Sequence, residues 1–320
     1  MSEQLSAPPA GRVGTTERTA IIGALVIGAL LVVGIIVARP AAAPDDLSPL
    51  AAVILGLVEG LTEYLPVSST GHLLVTNELL GLGGTEDADL ALDTYAICIQ
   101  VGAILAVLLL YRDRIMQMVM GMLGRDEDGR TVLIGSICAF VPTMAIAFVL
   151  RDPVRDNLFG ATPIAVAWFL GGLGILALVR SGRLDAPGQA LAEISIKQAV
   201  IIGVAQSFAL WPGTSRSLIT IVAAVTVGLS LAAAVEFSFL LGLATLTAAT
   251  VYEGADNGGN LIDTFGWTTP IIGLVVAFVS AAVAIKWMVS WLEEKGFEVF
   301  GWYRLVIGVA AGIAIAAGAL

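Results

Sequence analysis

Apolar residues run along this chain in long blocks, separated by short polar segments. The first block is 20–38, "AIIGALVIGALLVVGIIVA". Others lie at about 90–111, 131–150, 162–180, 231–251, 269–291 and 302–319. Blocks of about 20 residues suit helices that cross the hydrocarbon of a bilayer. In lipid each backbone polar group must be paired within its own segment, so such blocks are helices. Alternating strands of about ten residues, the mark of a transmembrane barrel, do not appear. The pattern predicts an all-α polytopic membrane protein.

Two apolar stretches, 48–80 and 195–227, behave differently. Each is interrupted by Pro, Gly, Ser and Thr, in "YLPVSSTGH" and in "LWPGTSRS". Backbone freed by such a break survives at membrane depth only when protein or a water-filled cavity covers it. Both stretches are therefore predicted to be re-entrant helix-loop-helix hairpins. They also align, "VILGLVEGLTEYLPVSST" over "VIIGVAQSFALWPGTSR", with one residue of slip. Gly56 meets Gly203, Glu59 meets Gln206, Pro66 meets Pro212 and Ser69 meets Ser215. In the spans behind, Gly102 meets Gly242. One hairpin plus three spans is thus expected twice, at 48–180 and at 195–319. The six core spans follow an extra N-terminal helix at 20–38 and a polar, disordered cytoplasmic tail at 1–19. A cleaved signal peptide is the rival reading of 20–38, but the run is longer than a usual signal core.

Charge orients the spans. With the tail in the cytoplasm, the cytoplasmic segments hold Arg12, Arg18, Arg112, Arg114, Arg125, Arg130, Arg180, Arg183, Lys197, Lys295 and Arg304. The outside holds only Arg39, Arg151 and Arg155. The segment 252–268, "YEGADNGGNLIDTFGWT", reads as an outside loop with acids and no Lys or Arg. Cytoplasmic loops are the ones enriched in Lys and Arg. Three spans separate the hairpins, so the repeat is inverted, an arrangement that puts a site near the midplane between the copies.

Composition agrees. The chain of 320 residues is 58% hydrophobic and 13% charged, where soluble domains are nearer about a quarter charged. The net charge of −10 comes with no basic patch, which excludes nucleic acid as a partner. The two cysteines, Cys98 and Cys138, fall inside spans and read as small core residues. The scarcity of lysine fits a high-salt cell or a GC-rich genome, and the sequence does not separate them.

The first break concentrates the chemistry. Glu59 and Glu63 are four apart, on one helix face, where like charges repel and burial is costly. A bound cation, an arginine, a shared proton or water would offset this. Ser68, Ser69 and Thr70 supply hydroxyls, Gly71 permits close approach, and the helix starting there points its free N–H groups into the break, as an anion site does. His72, the sole histidine, is three residues past Ser69. By itself it reads as a satisfied polar residue; beside Ser69 and Glu63 it reads as a base. The second break adds Arg216, a rigid fork of donors suited to phosphate, flanked by Thr214, Ser215 and Ser217, with Thr220 beyond. Two carboxylates, a hydroxyl–histidine pair, an arginine and two anion-binding helix ends suit phosphoryl transfer. The carboxylates Glu59 and Glu63 suit a hard cation, Mg²⁺ or Ca²⁺, and not zinc.

"EGLTEYLPVSSTGHLL" and "PGTSRSLIT", with "IQVGAILAV" and "EFSFLLG" behind them, closely resemble the signatures of the undecaprenyl-pyrophosphate phosphatase family, also named undecaprenyl-diphosphatases or bacitracin-resistance membrane proteins. The resemblance spans about 48–320. It implies removal of one phosphate from a polyprenyl diphosphate, which recycles the lipid carrier for cell-wall polymers, and inverted repeats with two re-entrant hairpins. Carried over, the acidic motif falls on Glu59 and Glu63, the serine and histidine on Ser69 and His72, and the essential arginine on Arg216. Divalent-cation dependence, a site opening outside and homodimers are implied too. Leu65 stands where many members have phenylalanine. "GVAAG" at 308–312 offers a small-xxx-small pattern for helix pairing. Serine, water or histidine remain open as nucleophile. The rival class is a transporter or flippase for a lipid phosphate or anion, which shares broken helices and midplane charges but needs no hydroxyl–histidine–arginine set.

Overall fold

The computed structural model describes residues 47–184, 187–318 and 320. The expected tail at 1–19 and helix at 20–38 lie outside the described residues. Among the described residues eleven α-helices follow one another: α1 (Pro49–Thr62), α2 (Ser69–Leu80), α3 (Glu86–Leu110), α4 (Arg112–Met122), α5 (Glu127–Leu158), α6 (Ala161–Arg180), α7 (Ile196–Gln206), α8 (Arg216–Thr226), α9 (Leu231–Phe265), α10 (Thr268–Lys295) and α11 (Glu298–Ala316). Short 3-10 turns sit at Leu191–Glu193 and Ser207–Leu210. No strand is present among the described residues. Among the described residues six helices, α3, α5, α6, α9, α10 and α11, are long and apolar enough to cross a membrane. They coincide with the six core spans expected from the pattern. Large apolar side chains such as Phe148, Ile271, Val283 and Ile313 are exposed on them, as on surfaces that face lipid.

Local chemistry sets the helix starts. Ser48, Asp126, Ser195 and Ser230 cap α1, α5, α7 and α9, each accepting from the backbone N–H three residues on. Ser195 and Gln198 form a reciprocal capping box. The helix ends depart from expectation where apolarity and helicity part company. α9 continues through the polar segment to Phe265, so 252–268 is mostly helix and not a loop. α5 likewise extends to Leu158. Ion pairs tie these extensions down: Arg151 to Glu253 at 3.3 Å and Arg155 to Asp93 at 3.1 Å. Hydropathy marks the lipid boundary, whereas a helix ends where its hydrogen bonds do. α4 was not anticipated. It is too polar for a span and packs on α5 where Gly121 and Gly129 let the backbones meet.

Packing follows the aligned glycines. α1 lies on α10, and α7 lies on α5. A Cβ on Gly56 would come 3.1 Å from Gly273 Cα of α10, and one on Gly203 would come 2.7 Å from Ala139 Cα of α5. Each glycine carbonyl also faces a hydroxyl of the helix it packs on: Ser280 Oγ donates to Gly56 O at 3.3 Å, and Thr143 Oγ1 lies 2.7 Å from Gly203 O. α3 and α9 pack together through the middle, and α6 packs on α11. Gly308 of α11 meets the α6 backbone at Ala165 and Phe169, so that half of the "GVAAG" pattern is used within the chain.

Candidate active site at the two broken helices

The chain between α1 and α2 leaves the helical ladder, and its carbonyls are taken up one after another. Leu65 O accepts from Ser217 Oγ at 2.9 Å, Pro66 O from Arg304 Nη1 at 3.3 Å, Val67 O from Trp168 Nε1 at 3.0 Å, and Ser68 O from His72 Nδ1 at 2.6 Å. Three of these four donors come from α6, α8 and α11. Buried backbone groups need partners, and here distant side chains supply them. Both breaks end on a serine in the left-handed region, Ser68 at φ 75° and Ser215 at φ 74°, the only non-glycine residues with positive φ among those described. Each caps the helix it precedes, Ser68 Oγ accepting from Gly71 N and Ser215 Oγ from Leu218 N. This common cap shifts one sequence pairing: Ser68, not Ser69, corresponds to Ser215, so Ser69 and Arg216 are both first residues of their helices.

These two first residues meet on one carboxylate. Ser69 Oγ donates to Glu63 Oε2. Arg216 Nη2 donates to Glu63 Oε1 at 3.0 Å, and Arg216 Nη1 donates to Ser238 O at 3.1 Å. The guanidinium sits 5.4 Å over the Tyr64 ring and lies against Gly242, whose lack of a side chain gives it room. A cavity of about 260 Å³ opens beside this row. Glu63, Ser68, Ser69, Thr70, Ser215 and Arg216 line its polar end, together with Gln206. Met144, Leu210, Trp211 and Leu246 are among its apolar residues, with Gln100, Thr143 and Thr245 between them.

Not every expected residue faces the cavity. Ser217 is fully buried and turned to Leu65 O. Gly71 packs against Trp168, and Thr214 lies beside the cavity wall without lining it. His72 stands apart from Ser69 Oγ: Nδ1 donates to Ser68 O, leaving Nε2 to accept from the Tyr303 hydroxyl at 2.7 Å. Its ring is stacked on Tyr303 and lies 5.0 Å from Trp168. In this geometry Glu63, not His72, is the base within reach of Ser69. Arg304, counted above among cytoplasmic charges, is fully buried between α6 and both breaks. Sequence reasoning paired Gln206 with Glu59 without placing it in the site, and passed over Gln100 and Thr143 of the cavity wall; polar side chains inside apolar spans were the signal for them.

Glu59 is fully buried, and neither of its carboxylate oxygens has a hydrogen-bond partner. A buried carboxylate without donors is offset by a counter-charge or by a proton shared with a neighbouring acid. One turn from Glu63, it fits a hard oxygen-seeking cation. No group of three or more His, Cys, Asp or Glu suited to a metal occurs among the described residues, so protein carboxylates would fill only part of a coordination shell.

Residues 52–310 match the model of a family described as bacitracin resistance protein BacA. The chain belongs to that family. It is 42% identical over 262 residues to an undecaprenyl-diphosphatase of Sorangium cellulosum, covering 80% of this chain and 83% of that protein. It is 36% identical over 272 residues to an undecaprenyl-diphosphatase of a Psychrobacter species, covering 83% and 94%. It is 40% identical over 258 residues to undecaprenyl-diphosphatase 2 of Rhodospirillum rubrum, covering 81% and 92%. As a BacA-family member with six span-length helices, it is a multi-pass membrane protein.

Proposed function

We propose that this chain hydrolyses undecaprenyl diphosphate, or a polyprenyl diphosphate like it, to the monophosphate and inorganic phosphate. The reaction would recycle a lipid carrier for cell-wall polymers and confer bacitracin resistance. The observation that carries this reading is the row Ser69–Glu63–Arg216 at the polar end of a largely apolar cavity. The proposed chemistry starts with Ser69 Oγ attacking the terminal phosphorus while Glu63 takes its proton. The bond from that phosphorus to the bridging oxygen breaks, and Glu63 gives the serine proton to the bridging oxygen as the prenyl monophosphate leaves. Water then attacks the phosphoserine, Glu63 takes its proton and returns it to Ser69 Oγ as the phosphorus–Oγ bond breaks, and phosphate departs. Arg216 and the N-termini of α2 and α8 bind the phosphoryl oxygens, where positive ends are worth most in a dry site. Ser68, Thr70 and Ser215 add donors. Glu59 and Glu63 would hold Mg²⁺ or Ca²⁺, which supplies charge neutralisation for the diphosphate. His72, with both ring nitrogens engaged, holds the first break in shape.

We read α1–α2 and α7–α8 as re-entrant hairpins and 48–180 and 195–319 as inverted copies. The crossed packing supports this: each hairpin's first helix rests on a span of the other copy, through Gly56 and Gly203. An outer-face opening is supported by Ala147 and Ala249, cavity residues one turn from Arg151 and Glu253, in helical stretches that the charge rule puts outside. A homodimer through α11 would use its outward residues Val309, Gly312 and Ile313.

The test is phosphate release from undecaprenyl diphosphate by the purified protein in detergent, with and without chelator. Release that stops with chelator supports the reading; no release under any condition favours a carrier. Ser69→Ala should lose about 10³-fold in rate. A variant near the wild-type rate would mean that water attacks directly.

A further inference from the structure

Arg304 lies within α11 and is fully buried. No carboxylate pairs with it among the described residues. Its guanidinium is held by three backbone carbonyls: Nη1 donates to Pro66 O at 3.3 Å, and Nη2 donates to Gly213 O at 2.7 Å and to Ala167 O at 2.9 Å. Pro66 belongs to the first break and Gly213 to the second. Each lies three residues before the first residue of the following helix, Ser69 in one case and Arg216 in the other. One cation therefore grips the corresponding carbonyl of both breaks. Ala167 of α6 is the third support, and Gly171, one turn on, leaves the space that the guanidinium fills.

Burying a cation without a counter-ion costs several kcal/mol, and an apolar side chain would fill the space more cheaply. Arg304 does not line the cavity, so substrate contact does not explain it. What it reaches is both loops at once, at carbonyls beside the direct link from Ser217 Oγ to Leu65 O. We propose that Arg304 is a positioning residue that fixes the two broken loops against each other, so that Ser69 and Glu63 on one meet Arg216 on the other. The requirement is geometric. The row depends on residues 153 positions apart in sequence, Glu63 and Arg216, and misplacement by about 1 Å can cost on the order of 10²-fold in rate.

This inference rests on the phosphatase reading, and the experiment separates the two. Arg304→Gln and Arg304→Lys each keep some donors but lose the three-way reach. The folded fraction of each is isolated by size exclusion, and phosphate release is measured against substrate concentration. The expected result is a fall in kcat of about 30-fold or more with KM moved less than about threefold, since alignment and not binding is lost. Gly171→Ala tests the same point with Arg304 intact: its Cβ would stand 2.7 Å from the guanidinium carbon, and kcat should fall about tenfold by displacement. A folded Arg304→Gln with kcat within about threefold of wild type, or with only KM raised, overturns the proposal. If neither Arg304 variant folds, Gly171→Ala decides alone, and a wild-type kcat there overturns it. Absence of phosphate release from the wild type would instead sink the phosphatase reading.

Discussion

The two broken helix pairs share a scaffold and differ in what they present. In both, a glycine on the first helix lets it touch a long helix backbone to backbone, Gly56 in one and Gly203 in the other. In both, a serine with positive φ caps the second helix. At the next position they diverge: the first pair opens α2 with Ser69, the second opens α8 with Arg216. Ten residues earlier in each pair, Glu59 is buried with no hydrogen-bond partner, whereas its counterpart Gln206 lines the cavity and accepts from Thr220 Oγ1 at 3.2 Å. Matched backbone with opposite chemistry is what a divided site requires. In the proposed reaction a nucleophile and its base on one loop face an anion holder on the other.

That division can be broken most severely on the second pair. Arg216→Ala should reduce kcat/KM by about 10³-fold or more, because a buried fork of donors to the phosphoryl group is lost while Glu63 loses its cation. Arg216→Lys should recover only part of this, since lysine keeps the charge but not the fork that reaches Glu63 and Ser238 O together. Phosphate-release kinetics check both; a loss of tenfold or less for the alanine variant would mean that Arg216 does not clamp phosphate. The Glu59–Gln206 difference should weigh less. Glu59→Gln makes the first pair resemble the second, and is expected to lower the rate about 10- to 100-fold. It should also raise the Mg²⁺ concentration needed for half-maximal activity. Gln206→Ala should cost under about tenfold and leave the Mg²⁺ dependence in place. Equal cation dependence in Glu59→Gln and wild type would remove Glu59 from any cation site.

Much of this was legible in the sequence because it depends on local pattern. Apolar blocks located all six long helices, and Pro, Gly and Ser located both breaks. Glu63, Ser69 and Arg216 stood out because charges and hydroxyls are rare in this chain. What was not legible depends on which way a side chain turns. His72 sits one turn after the cap in sequence, yet its ring folds back to Ser68 O and Tyr303. Ser217 belongs to the "PGTSRS" motif, yet it serves Leu65 O. Arg304 looked like a loop charge near a span end, because hydropathy averages over a window and a single interior arginine vanishes in it. Helix lengths beyond the lipid boundary, as in α5 and α9, are fixed by ion pairs between distant residues that no window sees.

The turn of His72 makes a smaller prediction. If it braces the first break, His72→Asn and Tyr303→Phe should behave alike, because they cut one hydrogen bond from its two ends. Each should lower kcat by about tenfold or less, a loss of the size one buried hydrogen bond controls. If His72 instead moves protons for Ser69, His72→Asn should fall as far as Ser69→Ala while Tyr303→Phe stays near wild type. Parallel kinetics on the three variants separate these outcomes.

The mildest test concerns what the two pairs have in common. Gly56→Ala would push a methyl against Gly273 and Val276 of α10, and Gly203→Ala would push one against the Ala139 backbone of α5. Forcing two backbones apart by a methyl costs about 1–3 kcal/mol. If the pairs are copies of one scaffold, both variants should lose similar thermal stability in detergent, with the folded fraction active to within about threefold. Neither glycine lines the cavity, so the chemistry should be largely spared. A large loss from one and none from the other would show that the shared geometry is superficial, and that only one of the two contacts holds its loop in register.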